Sequence, residues 1–487
     1  MKEKLLEYQS KINRIQNILN LLNWDLRISV PKDSADNLIE TISSIEEEKF
    51  KLETSDEYKK LLEDFINSKE FETLEEAEAR CVKNLLDDIL KQRKIPAEFN
   101  KEYLELQNKS TLAWTEAKEK QDYEIFKPYL EKCIEMTKEY YGYISDSEDL
   151  YEVMLNEYET GLNTKFIDKL FNELKEYLIP LIKELKSENK KISIDYTTDE
   201  LKKCAEFLLG YEGFDLNKGM VSIFSHGFTE KMSKNDVRIA FSKTSDPTDF
   251  VTTIIHEGGH GIFEQNIGDN LSKYGNATLE NIYALHESQS KFFENILGRN
   301  INFWIPIYDE VQKLLKLDMK IEEFYENLNN VNPGLIRTKS DEVTFCMHII
   351  LRYEIERDLF SNKITIDELP EIWNKKMKEY LGVEVKDDSE GLMQDIQWAQ
   401  GHYGYFPSYL LGQIYDGMFL EIIEKKLGSI DDLLREGKIK EIINFLIENI
   451  YKYGNSYNSV EVIKRLGEEE ISVKPLIKYF DKKYRKK

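Results

Sequence analysis

Proline and glycine are scarce in this sequence of 487 residues, at 10 and 23, and no segment rich in them interrupts it. A flexible linker between separate domains is therefore not expected. Cysteine is scarcer still. Cys81, Cys133, Cys204 and Cys346 lie far apart and form no CxxC pair. That argues against a disulfide framework and a thiolate metal site, and it fits a reducing compartment. No run reaches the roughly 18 consecutive apolar residues of a membrane helix. The opening residues, Met1 to Glu7, hold no apolar stretch of signal-peptide length. The expectation is a cytoplasmic protein. Basic charge is in deficit as well, with 67 Lys and Arg against 91 Asp and Glu and a formal net charge of -24. Such a chain repels phosphate backbones and anionic headgroups, so neither nucleic acid nor membrane is an expected partner.

Helical periodicity fills most of what remains. Leu74–Lys91, Lys165–Leu185 and Glu342–Leu359 place apolar residues at spacings of three and four. Period-two alternation is rare. Val221–Phe228 and Asp236–Phe241 are the best strand candidates, with the polar segment Thr229–Asn235 read as the turn of a small hairpin. The expected fold is mainly α, with a small β-hairpin or sheet. Residues 1–487 read as one catalytic domain, with two lobes around a cleft.

His256-Glu257-Gly258-Gly259-His260 carries the strongest chemical signal. Residues four apart share one helix face, so both imidazoles can reach one metal ion while Glu257 acts on its water. The surroundings supply the helix. Asp246 suits the N-cap and Pro247 the first turn; Phe250, Ile254, Ile255 and Ile262 form an apolar face, and Gly268 is a plausible stop. Each of the two mid-helix glycines costs about 1 kcal/mol against alanine, which points to a close approach by another backbone or by substrate. A catalytic zinc needs a third protein ligand and an open position. The next helix, starting near Asn276 or Thr278 and ending at Gly298, offers Glu280, Glu287 and Glu294 at seven-residue intervals, with His286 as a rival. Spacing alone does not choose among them.

The chain resembles the carboxypeptidase Taq family of zinc metallocarboxypeptidases, on motifs that recur in order. Trp24-Asp25 with Pro31 is similar to its opening Trp-Asp motif, and Tyr151 to Gly161 to its YDxLLDxYEPG segment. His226-Gly227-Phe228 and Asp236-Val237-Arg238 precede the zinc helix, and His286 to Ser290 matches HESQS. Ile336 to Asp341 resembles IRTxAD, Gly391 to Trp398 resembles GxxQDxHW, and Gly404 to Pro407 matches GYFP.

The resemblance implies a large helical peptidase fold with a deep central groove, a homodimer, and removal of C-terminal residues with broad specificity. It makes His256, His260 and Glu287 the metal ligands and Glu257 the general base. Zinc is the implied metal, and cobalt suits the same ligands. Arg337 becomes the candidate for the substrate carboxylate, through its planar fork; the competing reading pairs it with Asp341 or Glu342. Tyr405 is the candidate oxyanion donor, against a role as core aromatic beside Tyr403 and Phe406. His226 and Arg238 are candidate substrate contacts. Four positions depart from the family: Gly227 for proline, Ala240 for threonine, Ser340 for alanine, and Gln397 for a histidine. Gln397 keeps a hydrogen bond but no charge, and His402 is a possible substitute. Two alternatives stand beside the carboxypeptidase: an endo-acting zinc oligopeptidase, and a divergent, weakly active member that binds peptides.

Overall fold

The computed structural model describes residues 1–186, 192–275 and 282–485. They form two compact units, each assembled from three chain segments. The first comprises Met1–Leu90, Lys190–Leu328 and Met418–Glu470, and the second Lys91–Asn189, Asn329–Gly417 and Ile471–Lys487.

In the first unit, α1 spans Lys2–Ile28 and α2 Thr198–Glu212. A capping box between Thr197 and Glu200 opens α2. Three strands follow: β1 (Gly219–Phe224), β2 (Phe228–Ser233) and β3 (Asp236–Ser242). β3 is central, parallel to β1 and antiparallel to β2. This corrects the expected hairpin. Thr229–Ser233, read as turn, is the edge strand β2, and the turn shrinks to Lys234-Asn235. Only Met232 of β2 is buried. A strand whose side chains are mostly half-exposed lacks the alternation that identifies strands.

Two further helices complete the part that matters for function: α3 (Pro247–Gln265) and α4 (Tyr283–Lys291). Asp246 caps α3 as expected, accepting from the Thr248 and Asp249 amides at 2.8 and 3.4 Å. Phe250, Ile254, Ile255 and Ile262 are at most 1% exposed. The helix stops at Gln265 rather than Gly268, and the Gly268 amide instead donates to the Lys452 carbonyl. The proposed start of the following helix, with Glu280, lies outside the described residues. α4 continues into a π-helical segment, Phe292–Gly298, which ends where expected.

The second unit is built from helices including Ala97–Lys120, Tyr123–Ile144, Leu150–Tyr158, Thr164–Leu185 and α5 (Glu342–Phe360). Asp341 caps α5 through the Val343 and Thr344 amides. An irregular stretch joins helix Leu369–Leu381 to helix Phe406–Leu427 and carries the segment from Gly391 to Tyr405.

The mid-helix glycines have a packing reason. A Cβ at Gly259 would lie 2.7 Å from Ser290 Cα and 2.8 Å from the Gln289 carbonyl, both α4 backbone atoms. One at Gly258 would collide with the Glu212 carboxylate of α2. The α3–α4 contact is thus backbone against backbone. Gly259→Ala is expected to lower unfolding free energy by about 1–3 kcal/mol, although alanine is the better helix former by about 1 kcal/mol. Denaturant unfolding measures this, and a variant as stable as the parent would show that the helices do not need that closeness.

Candidate metal centre and active site

His256 and His260 stand one turn apart on α3, and Glu287 faces them from α4. One ligand atom from each lies within 4.8 Å of the others. His260 Nε2 is 3.5 Å from Glu287 Oε2. Burial, and then the neighbouring His286, push His260 down to about 3, so its ring is neutral. Burial pushes Glu287 up, but its bond to His260 and the charge of His256 hold it down, at about 2. His256 differs: burial lowers it, yet its bond to Glu294 and the charge of Glu287 carry it above its usual value. The cluster draws positive charge. His256 Nδ1 is engaged by Glu294 at 3.0 Å, which leaves Nε2 as its donor. Two imidazoles, one carboxylate and local demand for a cation fit a divalent ion with an open position.

A buried ionic network supports these three residues. Glu294, in the π-helical segment, also accepts from Lys291 Nζ at 2.8 Å and pairs with Arg299 Nη2 at 3.3 Å. Burial raises its carboxyl, but Lys291 and the bond to His256 hold it well below the usual carboxylate range. His286, the rival ligand, is used elsewhere. Its ring stacks on His260 with centroids 4.5 Å apart, and its Nε2 is 3.1 Å from Glu264 Oε1, which in turn neighbours Lys231.

Glu257 projects beside the cluster and is 6% exposed. Burial raises its pKa, against lowering by His256 and Thr229, which moves a carboxylate towards the range useful to a base near neutral pH. Thr229 on β2 donates to Glu257 Oε2 at 2.7 Å. Gly227 explains itself by crowding: a Cβ there would sit 2.6 Å from Thr253 Cγ2 and 3.0 Å from Glu257 Oε1. Ala240 joins an apolar cluster with Trp24 and Met232. His226 is exposed, with its ring 5.0 Å from Phe224 and 5.8 Å from Phe228. Arg238 forms a two-bond ion pair with Asp236, at 2.9 and 2.8 Å, which is the arrangement of a structural pair.

The remaining candidates lie in the second unit. Arg337 is 7% exposed, and its fork is taken by Asp395. Its Nε and Nη2 donate to Asp395 Oδ1 at 3.0 and 2.8 Å, while Arg352 Nε donates to Oδ2 at 2.6 Å. Burial raises Asp395, but the two guanidiniums outweigh it and hold the carboxyl far below its usual range. The Tyr409 ring lies 4.8 Å from the Arg337 guanidinium, and its hydroxyl takes a 3.5 Å contact from Gln397 Nε2. Tyr405 is half-buried among Tyr158 and Tyr409, with His402 at 6.3 Å, whereas Tyr403 is core at 1% exposure. His402 is exposed. Ser340 donates its hydroxyl to the Arg337 carbonyl, which accounts for a polar residue there.

Sequence reasoning missed Thr229, Arg352, Glu356 and Asp395, and it weighed Glu294 only as a ligand or a surface salt-bridge partner. Glu356 accepts from Tyr151 Oη, Trp398 Nε1 and the Gly404 amide at 2.8, 2.7 and 3.0 Å. It thereby ties three motif segments together. The available signal was His348, Arg352 and Glu356, one turn apart on a helix otherwise rich in apolar residues.

A family model described as carboxypeptidase Taq (M32) metallopeptidase matches residues 4–484. The chain belongs to that family. With it comes the reaction class: this metallopeptidase is a peptide hydrolase, a metallocarboxypeptidase. Carboxypeptidase 1 of Bacillus subtilis is 35% identical, with 97% of this chain and 96% of that protein aligned. Among solved structures, the M32 carboxypeptidase of Deinococcus radiodurans superposes with a TM-score of 0.93 at 26% identity, over 99% and 98% of the two chains. The Pyrococcus furiosus carboxypeptidase does so with a TM-score of 0.92 at 29% identity, over 99% and 98%.

If Glu294 orients His256 for a metal, Glu294→Gln in this M32 chain weakens zinc affinity by about 10–100-fold. Competition with a chromogenic chelator measures it. Unchanged affinity would reduce Glu294 to a partner of Lys291 and Arg299.

Proposed function

We propose that this metallocarboxypeptidase uses zinc, or cobalt in its place, held by His256, His260 and Glu287. The observation that carries the reading is the convergence of these three residues beside Glu257 on the same helix. A bound divalent ion supplies Lewis acidity and lowers the pKa of water towards about 7.

The chain's own residues do the rest. Glu257 takes a proton from the attacking water and returns it to the leaving amine. Tyr405 donates a hydrogen bond to the oxyanion formed on the substrate carbonyl. Arg337 receives the terminal carboxylate of the peptide. Its fork is bonded to Asp395, so support for that role comes from the family motif and from the positive charge left over where Arg337 and Arg352 share that single carboxylate. Gln397 and His402 flank the same aromatic group and are assigned substrate contacts, as is His226. Arg238 keeps that assignment on the family pattern alone, because its fork is spent on Asp236.

Residues 1–487 act as one catalytic domain in this reading. The protein works in the cytoplasm on peptides with free C-termini, as a homodimer. Composition supports the location, and the family resemblance supports the substrate class and the dimer. Among the described residues no helix is long and apolar enough to cross a membrane.

A pair of peptides separates exo- from endo-action. The free-carboxylate form is expected to be cleaved at least about 30-fold faster than its C-terminal amide, because losing one partner of a buried charge pair costs about 2–5 kcal/mol. Arg337→Ala should erase most of that preference while retaining its metal. Equal cleavage of both peptides by the parent protein would point to an endopeptidase.

A further inference from the structure

β2 is an edge strand, and one of its faces lies along α3. Thr229 and Lys231, two residues apart on one side of the strand, reach Glu257 and Glu264, seven apart on one side of the helix. The two contacts place side chains of β2 against one side of α3 at two separate points.

Thr229 Oγ1 lies 2.7 Å from Glu257 Oε2 and 3.1 Å from the Glu257 carbonyl oxygen. A hydroxyl has one hydrogen to give. The shorter contact is to a carboxylate oxygen, and charge-assisted bonds of this kind are the stronger ones. The hydrogen therefore goes to Oε2. On the other side, Gly227 has no side chain at the place where a Cβ would crowd Oε1 to 3.0 Å. One carboxylate oxygen is gripped, while among the described residues no side chain donates a hydrogen bond to the other.

We propose that Thr229 is a positioning residue for proton transfer: its hydroxyl fixes Glu257 Oε2 and so leaves Oε1 as the atom that takes and returns the proton. This rests on the reading of Glu257 as the general base. A flexible glutamate that loses such a tether samples rotamers in which neither oxygen is in place, and misplacement by about 1 Å can cost about 100-fold in rate.

The test uses the zinc-loaded, full-length protein and a free-carboxylate peptide. Thr229→Val keeps the shape and removes the hydroxyl. It is expected to lower kcat about 10-fold, with KM within about 2-fold and zinc stoichiometry unchanged, since an effect realised only in the transition state falls on kcat. Thr229→Ser should restore most of the rate. In a Glu257→Gln background the same Thr229→Val change should have no further effect, because the two residues act as a unit. A parental kcat in Thr229→Val, an equal loss in Thr229→Ser, or a full additional loss in the Glu257→Gln background would each overturn the proposal. Parental activity in Glu257→Gln alone would instead overturn the general-base reading, so the two failures are distinguishable.

Discussion

At Gly259 the backbone of α3 presses against the backbone of α4 at Gln289 and Ser290. Much else follows from that contact. With a side chain in between, Glu287 would move away from the two histidines, and the three ligand atoms would no longer lie within 4.8 Å of one another. The contact also stacks His286 on His260 and turns His286 towards Glu264. Glu294 follows two turns later, in the widened π-helical segment, and bonds His256. Such segments recur at functional sites because one extra residue per turn re-aims the side chains that follow.

Burying this much charge would be destabilising without partners. Each unit meets the problem in its own way. In the first, Lys291 and Arg299 balance Glu294, and Lys231 balances Glu264. In the second, α5 holds His348, Arg352 and Glu356 along one face, all fully buried. Arg352 grips Asp395, and Glu356 grips Trp398 and the Gly404 amide. The irregular segment carrying Gln397, His402 and Tyr405 is therefore held on both sides by one helix. Irregular backbone has no ladder of its own, so buried side-chain acceptors do that work.

Much of this was legible in the sequence, for physical reasons that can be named. The α3 cap, its apolar face and the two-histidine spacing are local signals, and the helix formed as read, apart from its final turn. Both mid-helix glycines signalled a close approach, and α2 and α4 supply it. Less legible were the features that depend on partners distant in sequence. β2 was hidden because a half-exposed edge strand has little hydrophobic alternation. Arg337 was given neighbours in sequence as ion partners, whereas Asp395, 58 residues on, takes its fork. Glu356 drew no notice in the sequence because its three donors, two of them from the segment after Met393, come from distant segments. The departure at Gly227 had no visible reason in the sequence, and the structure shows a place without room for a side chain.

If His256, His260 and Glu287 form one metal centre, peptide hydrolysis by this chain depends on it. The most direct test is zinc titration of the chelated protein, with release of the C-terminal amino acid followed at each addition, for the parent chain and for Glu287→Ala. A single centre predicts no release before zinc, a rise that saturates at one equivalent per chain, and neither tight binding nor release in the variant. Release that survives chelation, or a variant that binds and works like the parent, would contradict it.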